Sequence, residues 1–392
     1  MAQGVRCVAA LVLAALHGLA TAAAGPLSVD SLEGMHAIRH AVRDDGRPAR
    51  DVALPFVRSP GAPGVAQRIN AAIYLSQLSM PPPVAPQGRV ALSDDFPPEE
   101  QLQFDVLRND AHVLSLAITS EFCIGHCIED TTILHFDART GRRVMLADLL
   151  SSDGEATALR MMADAGIAAF AGGLARLPPP PREPDPDEDD SATPPPAAEP
   201  VIPDPIALDN DPGGEDHRRY FESCKTDWEA DRDRAPGSAR EPTFELPTDG
   251  ALQLAQPRCL EGSRRMQRLS EVDVEDVHLA GAALERLLSP YGRALLMNGP
   301  ASRSVARLAG HVMVGRVGDA PATLMFDEVG CDVSWYRDHE RRIMSLATKD
   351  CGPALSLSAG TNQQMMALRR DGDRLVGTWR DGTTSMPATF AP

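Results

Sequence analysis

Two histidines, His36 and His40, stand four residues apart in HAIRH. On a helix that spacing turns both imidazoles to one side, as paired metal ligands require. Without an HExxH context the same spacing suits an ordinary surface helix, and that is the expectation here. Cys123, His126, Cys127 and His135 are the right side chains for a zinc site. In an oxidising compartment a Cys123 to Cys127 disulfide competes with zinc and is favoured over it. Nucleophilic catalysis finds no GxSxG and no SxxK in the chain, nor a cysteine set to be held as a thiolate. The adjacent Trp335 and Tyr336 could present an aromatic surface to a sugar or protein ligand. With so few aromatics available to a small β module, at least one of them is expected in the core. His126, Trp335 and Tyr336 are therefore the candidate ligand-contacting residues, and no catalytic residue, metal or cofactor is assigned.

The compartment follows from the N-terminus and the remaining cysteines. Arg6, an apolar run from Cys7 through Ala20, and small residues at Ala20, Ala22, Ala23 and Ala24 read as a secretory signal peptide over residues 1–24. No second apolar run long enough to span a bilayer is expected. Beyond the leader stand six cysteines, Cys123, Cys127, Cys224, Cys259, Cys331 and Cys351. An even set in an exported chain argues for disulfides. Sequence proximity favours pairing them in that order. The first pair carries a condition, since residues four apart on a straight strand are about 13 Å apart, while a disulfide tolerates Cα separations of roughly 4.4 to 6.8 Å. The chain must therefore turn at Ile124-Gly125-His126. The expected location is periplasmic or secreted, and the arginine, alanine and proline usage suggests a GC-rich bacterial genome.

The formal charge is −17, and much of it is concentrated in one stretch. Residues 178–216 hold twelve acidic side chains against the single Arg182, with dense proline and no aromatic residue. Such a stretch cannot bury enough surface to offset its ordering entropy and is expected to be a disordered insertion. A spacer or a lure for a basic partner is the functional reading; a tolerated surface insertion is the plainer one and is preferred. No basic stripe exists elsewhere, so nucleic acid is not expected as a partner.

Around the insertion the pattern alternates between strands and helices. The run from Val52 to Val57 reads as a strand, and Val65, Ile69, Ile73 and Leu78 recur at helical spacing. Three extended runs follow at 101–108, 112–122 and 130–137. In the second, Leu114, Leu116 and Ile118 alternate with Ser115, Ala117 and Thr119, the signature of a half-buried strand. A helix is expected near 154–174 and another over 218–231 with Tyr220, Phe221, Cys224 and Trp228 on one side. Asp249-Gly250 signals a hairpin, 272–279 a strand, and 282–288 a short helix stopped by Pro290. From residue 303 short strands with turns at Gly318-Asp319, Asp371-Gly372 and Asp381-Gly382 predict a small antiparallel all-β domain over 303–392. The preceding α+β domain spans 27–298, across the insertion.

The segments SEFCIGHCIED and ILHFDARTGRRVMLADLL, with Ile69-Asn70 on the first helix, resemble the extracytoplasmic domain shared by RsiV anti-sigma factors and PdaC-type peptidoglycan deacetylases. The likeness is strongest at Phe136-Asp137, Thr140-Gly141 and residues 146–150. It implies a non-enzymatic α+β module exposed to the cell envelope; in RsiV similar regions recognise lysozyme. The chain departs from the family at Cys123 to Cys127, where the family carries a Gly-Gly-Ala-His-like stretch. The expected function is an exported envelope protein that binds or senses a protein or peptidoglycan-related ligand. The alternatives are an envelope hydrolase, tested at His126 or Asp137, and a structural periplasmic scaffold.

Overall fold

The computed structural model describes residues 26–35, 51–84, 88–92, 96–97, 100–124, 126–177, 215–232, 243–255, 276–299, 308–328, 332–348, 352, 354–359 and 364–392. Residues 1–25, His36 and His40, nearly all of the acidic insertion, and Cys259, Cys331 and Cys351 lie outside the described residues. What is described is an α+β fold followed by an antiparallel eight-stranded barrel.

The strand β2 (Ala53–Arg58) pairs antiparallel with β1 (Ser28–Met35), and β3 (Arg89–Ala91) adds in parallel to the other edge of β1. Helix α1 (Pro63–Leu78) opens on proline, whose missing N–H is no loss in a first helical turn. It buries Val65, Ile69, Ile73 and Leu78, the positions the helical spacing marks. Asn70 fastens the helix to β2: its side-chain amide donates to the Val57 carbonyl at 2.9 Å and its side-chain oxygen accepts the Val57 N–H at 2.8 Å.

A second sheet runs β4 (Glu100–Asn109), β5 (Val113–Ile124), β6 (His126–Asp137), in that order and all antiparallel. Leu114, Leu116, Ile118, Leu134 and Phe136 pack into one core with β2 and α1. The expected half-burial of β5 does not hold at its base. Ser115 and His135, on the opposite face, are each only 1% exposed, because the hairpin that follows the insertion packs over them. His135 lies 2.8 Å from Ser115 Oγ and 2.7 Å from the Phe244 carbonyl, so a hydrogen-bonded polar pair occupies a face where an exposed one is expected.

Beyond β6 come α2 (Leu146–Leu149), α3 (Ser152–Arg176) and α4 (Glu215–Arg232). Tyr220, Phe221, Cys224 and Trp228 of α4 are buried together with Met162 and Phe170 of α3, as their spacing predicts. Despite the expectation of no second long apolar run, α3 is long and apolar enough to cross a membrane by length and composition. Its alanines together with Met161, Met162, Ile167, Phe170 and Leu174 supply that character, and it buries Ala158, Met162, Gly166 and Phe170. A third sheet joins β7 (Phe244–Glu245), β8 (Leu252–Leu254) and β9 (Val277–Leu279), with Gly250 at φ +80° in the β7–β8 turn. Pro290 ends α5 (Gly281–Leu287) as expected, but it also starts α6 (Pro290–Leu296). The Ser289 hydroxyl caps that helix by accepting the Gly292 N–H at 2.9 Å.

The barrel closes through β10 (Val312–Val317), β11 (Ala320–Phe326), β12 (Val333–Arg337), β13 (Met344–Thr348), β14 (Ala354–Ser358), β15 (Gln364–Asp371), β16 (Arg374–Asp381) and β17 (Thr384–Ala391). The last strand pairs with the first, Val317 opposite Ala388. Gly318, Gly372 and Gly382 all have positive φ, which the tight turns between strands require. Leu324, Phe326, Trp335, Leu357, Met366, Trp379 and Phe390 fill the interior. Val312, Met325 and Tyr336 point outward and join the core around α1.

Candidate functional site

The densest group of buried charges lies where β6 and α2 meet the start of the barrel. The backbone of Asp137 closes the turn after β6 by accepting the N–H groups of Thr140 at 3.2 Å and Gly141 at 2.8 Å. Its carboxylate accepts the Arg139 N–H at 3.0 Å, Arg139 Nε at 3.1 Å and the Tyr291 hydroxyl at 3.3 Å. Gly141 sits at φ +74°, and a Cβ there would stand 2.3 Å from the Val65 carbonyl oxygen. The turn is thereby pressed onto α1.

Seven residues beyond Gly141, Asp148 is the third residue of α2. Its Oδ2 accepts the Met145 N–H at 3.1 Å, its Oδ1 takes Arg142 Nη2 at 3.3 Å, and Ser289 Oγ donates to its backbone carbonyl at 2.5 Å. His311 Nε2 lies 3.1 Å from Asp148 Oδ2 and 3.0 Å from Arg142 Nη2. Arg143 reaches across to Glu328 at 2.6 Å. Burial, which outweighs the opposing Asp148 contact, together with the charges of Arg142 and Arg143 pushes His311 below the usual histidine range. Burial alone would raise Asp148, but the His311 contact, the Arg142 charge and the Met145 N–H hold it below the usual carboxylate range. Tyr291 is pushed far up, by burial first and then by Asp137 and Asp148. Each carboxylate and its partners are thus closed on one another. An Asp–His pair is also the chemistry of a general acid–base dyad. Here Asp137, Asp148 and His311 are all buried, and their bonds organise a turn, a helix start and the entry to the barrel.

No protein-family model and no curated protein matches the chain. Two solved structures are similar to part of it. One is a DUF3298 family protein from Pseudomonas aeruginosa PAO1, 15% identical, covering 38% of this chain and 69% of its own, with a TM-score of 0.26. The other is a DUF3298 family member from Bacteroides fragilis NCTC 9343, 12% identical, covering 37% of this chain and 69% of its own, also at 0.26.

The residues singled out from sequence fall in different places. Cys123 and Cys127 are opposite one another in the β5–β6 register, as the required turn at 124–126 implies. Cys127 and Cys224 each take part in a disulfide, and every other cysteine is either outside the described residues or has a side chain that is. The His126 side chain is likewise outside them. Trp335 is 0% and Tyr336 3% exposed, so no aromatic surface patch exists at this pair. Strand alternation sends the first into the barrel and the second against α1, and both faces of β12 are covered. Burial moves His135 down to about 4, which suits a neutral ring inside the fold. Among the described residues no group of three or more His, Cys, Asp or Glu side chains is arranged to hold a metal ion.

Sequence reasoning missed Asp148, His311, Tyr291 and Trp379. The LADLL segment did carry a signal, an acid at the third position of a short helix, which is the position of a capping carboxylate.

Proposed function

We propose that this chain is an exported, non-enzymatic binding module of the bacterial envelope, with an α+β part of the RsiV and PdaC type. Its ligand on this reading is an envelope protein that adds a strand to β6; a peptidoglycan-related ligand is the other class.

The supporting observation is the far half of the β5–β6 hairpin. Pairing continues to Ile124 opposite His126, yet the buried side chains stop near Ile118 and Leu134, and Cys127, Glu129, Asp130 and Thr131 are exposed. β6 is the last strand of its sheet. At its base the His135 carbonyl accepts the Val144 N–H and the Asp137 N–H donates to the Arg142 carbonyl. Odd-numbered positions therefore turn their backbone groups away from β5. By the same alternation Thr131 and Glu129 present an N–H and a C=O to the outside. Such an edge is the template on which strand addition works, while its charges discourage pairing with a second copy. The hydrolase alternative is weakened at its named carboxylate, because Asp137 is enclosed by Arg139 and Tyr291.

Thr131→Pro tests this reading. Proline on an edge strand removes the outward N–H without breaking the ladder to β5. Capture of an envelope partner at physiological salt by the full chain, lost in Thr131→Pro with the circular dichroism spectrum unchanged, is the expected result. Failure to capture any partner or to sediment with purified sacculi would overturn it.

A further inference from the structure

Among the described residues, the barrel interior contains donors without a hydrogen-bond partner. Trp335 Nε1 and Trp379 Nε1 are both buried without a hydrogen-bond partner, and so is Arg337 Nε. The two indole rings touch, with centroids 4.6 Å apart at 65°. The Arg337 guanidinium lies 5.8 Å from the Trp335 ring centroid, and Glu340 holds it there through Nη1 at 2.6 Å. A buried donor left unanswered costs about 1 to 3 kcal/mol, so three in contact are costly for a fold to keep without use.

All three reach the same end of the barrel. Arg337 is the register partner of Ala322, close to the Gly318 turn. Trp379 is the register partner of Met386, whose sulfur lies 3.3 Å from where a Cβ on Gly318 would be. Arg337 shares the inward face of β12 with Trp335. The side chain opposite it in the register, Ala322, is small.

Indole and guanidinium nitrogens only donate; neither can accept. The missing partner must therefore be an acceptor. A carbonyl or water oxygen offers two lone pairs, whereas a carboxylate offers about four and pairs with a guanidinium through charge-assisted bonds. An eight-stranded barrel is just wide enough to be filled by its own side chains or to admit one small ligand. We propose that this end of the barrel binds a short-chain carboxylate, its oxygens on Trp335 Nε1, Trp379 Nε1 and Arg337 Nε and its alkyl part against Met344 and Met386. This site is independent of the β6 edge.

The experiment is a ¹H–¹⁵N titration of the full chain with acetate, butyrate and hexanoate, and with butanol as the matched neutral probe. The chain has three tryptophans, and Trp228, which packs in a separate core, is the internal control. The barrel indole signals should shift saturably with at least one carboxylate while Trp228 stays still, and butanol should bind about tenfold or more weakly. Arg337→Met should weaken the carboxylate about 10- to 100-fold, the loss of one charge-assisted bond. Trp379→Phe, which keeps a ring and removes the N–H, should weaken it as well, with thermal melting as the check that both variants are folded. No saturable shift with any carboxylate would leave water as the occupant and overturn the proposal. Equal affinity for butanol, or affinity unchanged in a folded Arg337→Met, would also overturn it.

Discussion

Asp148 Oδ2 lies 3.1 Å from His311 Nε2, and this contact joins helix α2 to the residue that leads into the barrel. Asp148 is fixed from its own side by the Met145 N–H and Arg142. His311 is fixed by backbone, its N–H donating to the Leu308 carbonyl at 3.1 Å and its carbonyl accepting the Phe326 N–H at 3.0 Å. The pair thus couples two segments whose backbones are each already held. Arg143 with Glu328 and Tyr336 in the α1 core repeat that coupling on either side.

Removing the Asp148 carboxylate takes away the acceptor that Arg142 and His311 share. Breaking one partner of such a buried pair costs about 3 to 5 kcal/mol. Asp148→Ala should lower the urea midpoint accordingly. His311→Ala should cost less, and the double variant should fall short of the sum by about 0.5 to 3 kcal/mol. Strict additivity would show that the two residues do not act together.

The buried histidines set a pH dependence. His135 falls to about 4, first through burial and then through the charges of Arg143 and Arg108, with the Phe244 carbonyl opposing; His311 moves the same way. An unfolded histidine titrates near about 6.5. Because the folded value is lower, the unfolded chain binds more protons between the two values. For His135 the stabilisation is complete above about pH 6.5 and is lost as pH falls toward 4, at up to about 1.4 kcal/mol per pH unit, and His311 acts in the same direction. Urea midpoints measured at pH 7 and pH 5 should differ, and His135→Gln should reduce the difference. A midpoint independent of pH over this range would contradict the burial of both rings.

Much of this fold was readable from periodicity because the elements concerned are local. Val65, Ile69 and Ile73 mark α1, the Leu114 to Ile118 alternation marks β5, and the Asp-Gly pairs mark barrel turns. What escaped depends on contacts made far along the chain. β1 buries only Leu32 and Leu27 just ahead of it, so it carries no period. The burial of Ser115, on the face the alternation leaves open, and of His135 escaped because the strand that covers them, with Phe244, is 109 positions away from His135. Arg142 and His311 are 169 positions apart, and closure of β10 on β17 is non-local in the same way. Pro290 misled for a local reason: proline stops one helix and is equally suited to begin the next.

Gly141 is the position where the DARTG turn admits no side chain. An alanine would have to hold φ +74° and place its Cβ 2.3 Å from the Val65 carbonyl oxygen, which is backbone and cannot swing away. The left-handed conformation costs roughly 1 to 2 kcal/mol, and displacement of the first turn of α1 adds to it. Gly141→Ala should therefore destabilise by about 2 to 4 kcal/mol, whereas Gly61→Ala, with open space around it, should be nearly neutral. Equal melting temperatures for the two variants would show that the turn does not press on α1.

The cysteine pairings can be checked by mass. Cys123 and Cys127 face each other across β5 and β6, at an odd-numbered pair whose backbone groups point away from one another. In such non-hydrogen-bonded pairs the Cα atoms are about 4.5 Å apart, inside the range a disulfide spans. Alkylation before reduction should label none of Cys123, Cys127, Cys224, Cys259, Cys331 and Cys351. Tryptic digestion without reduction should yield Cys123 and Cys127 in one internally bridged peptide and a linked pair containing Cys224 and Cys259. The entropy of loop closure ranks the two bridges. The short Cys123 to Cys127 loop gives about 2 kcal/mol and the longer Cys224 to Cys259 loop about 4 kcal/mol. Cys224→Ser should consequently lower the melting temperature more than Cys127→Ser. A peptide linking Cys127 to any cysteine other than Cys123 would refute the clasp.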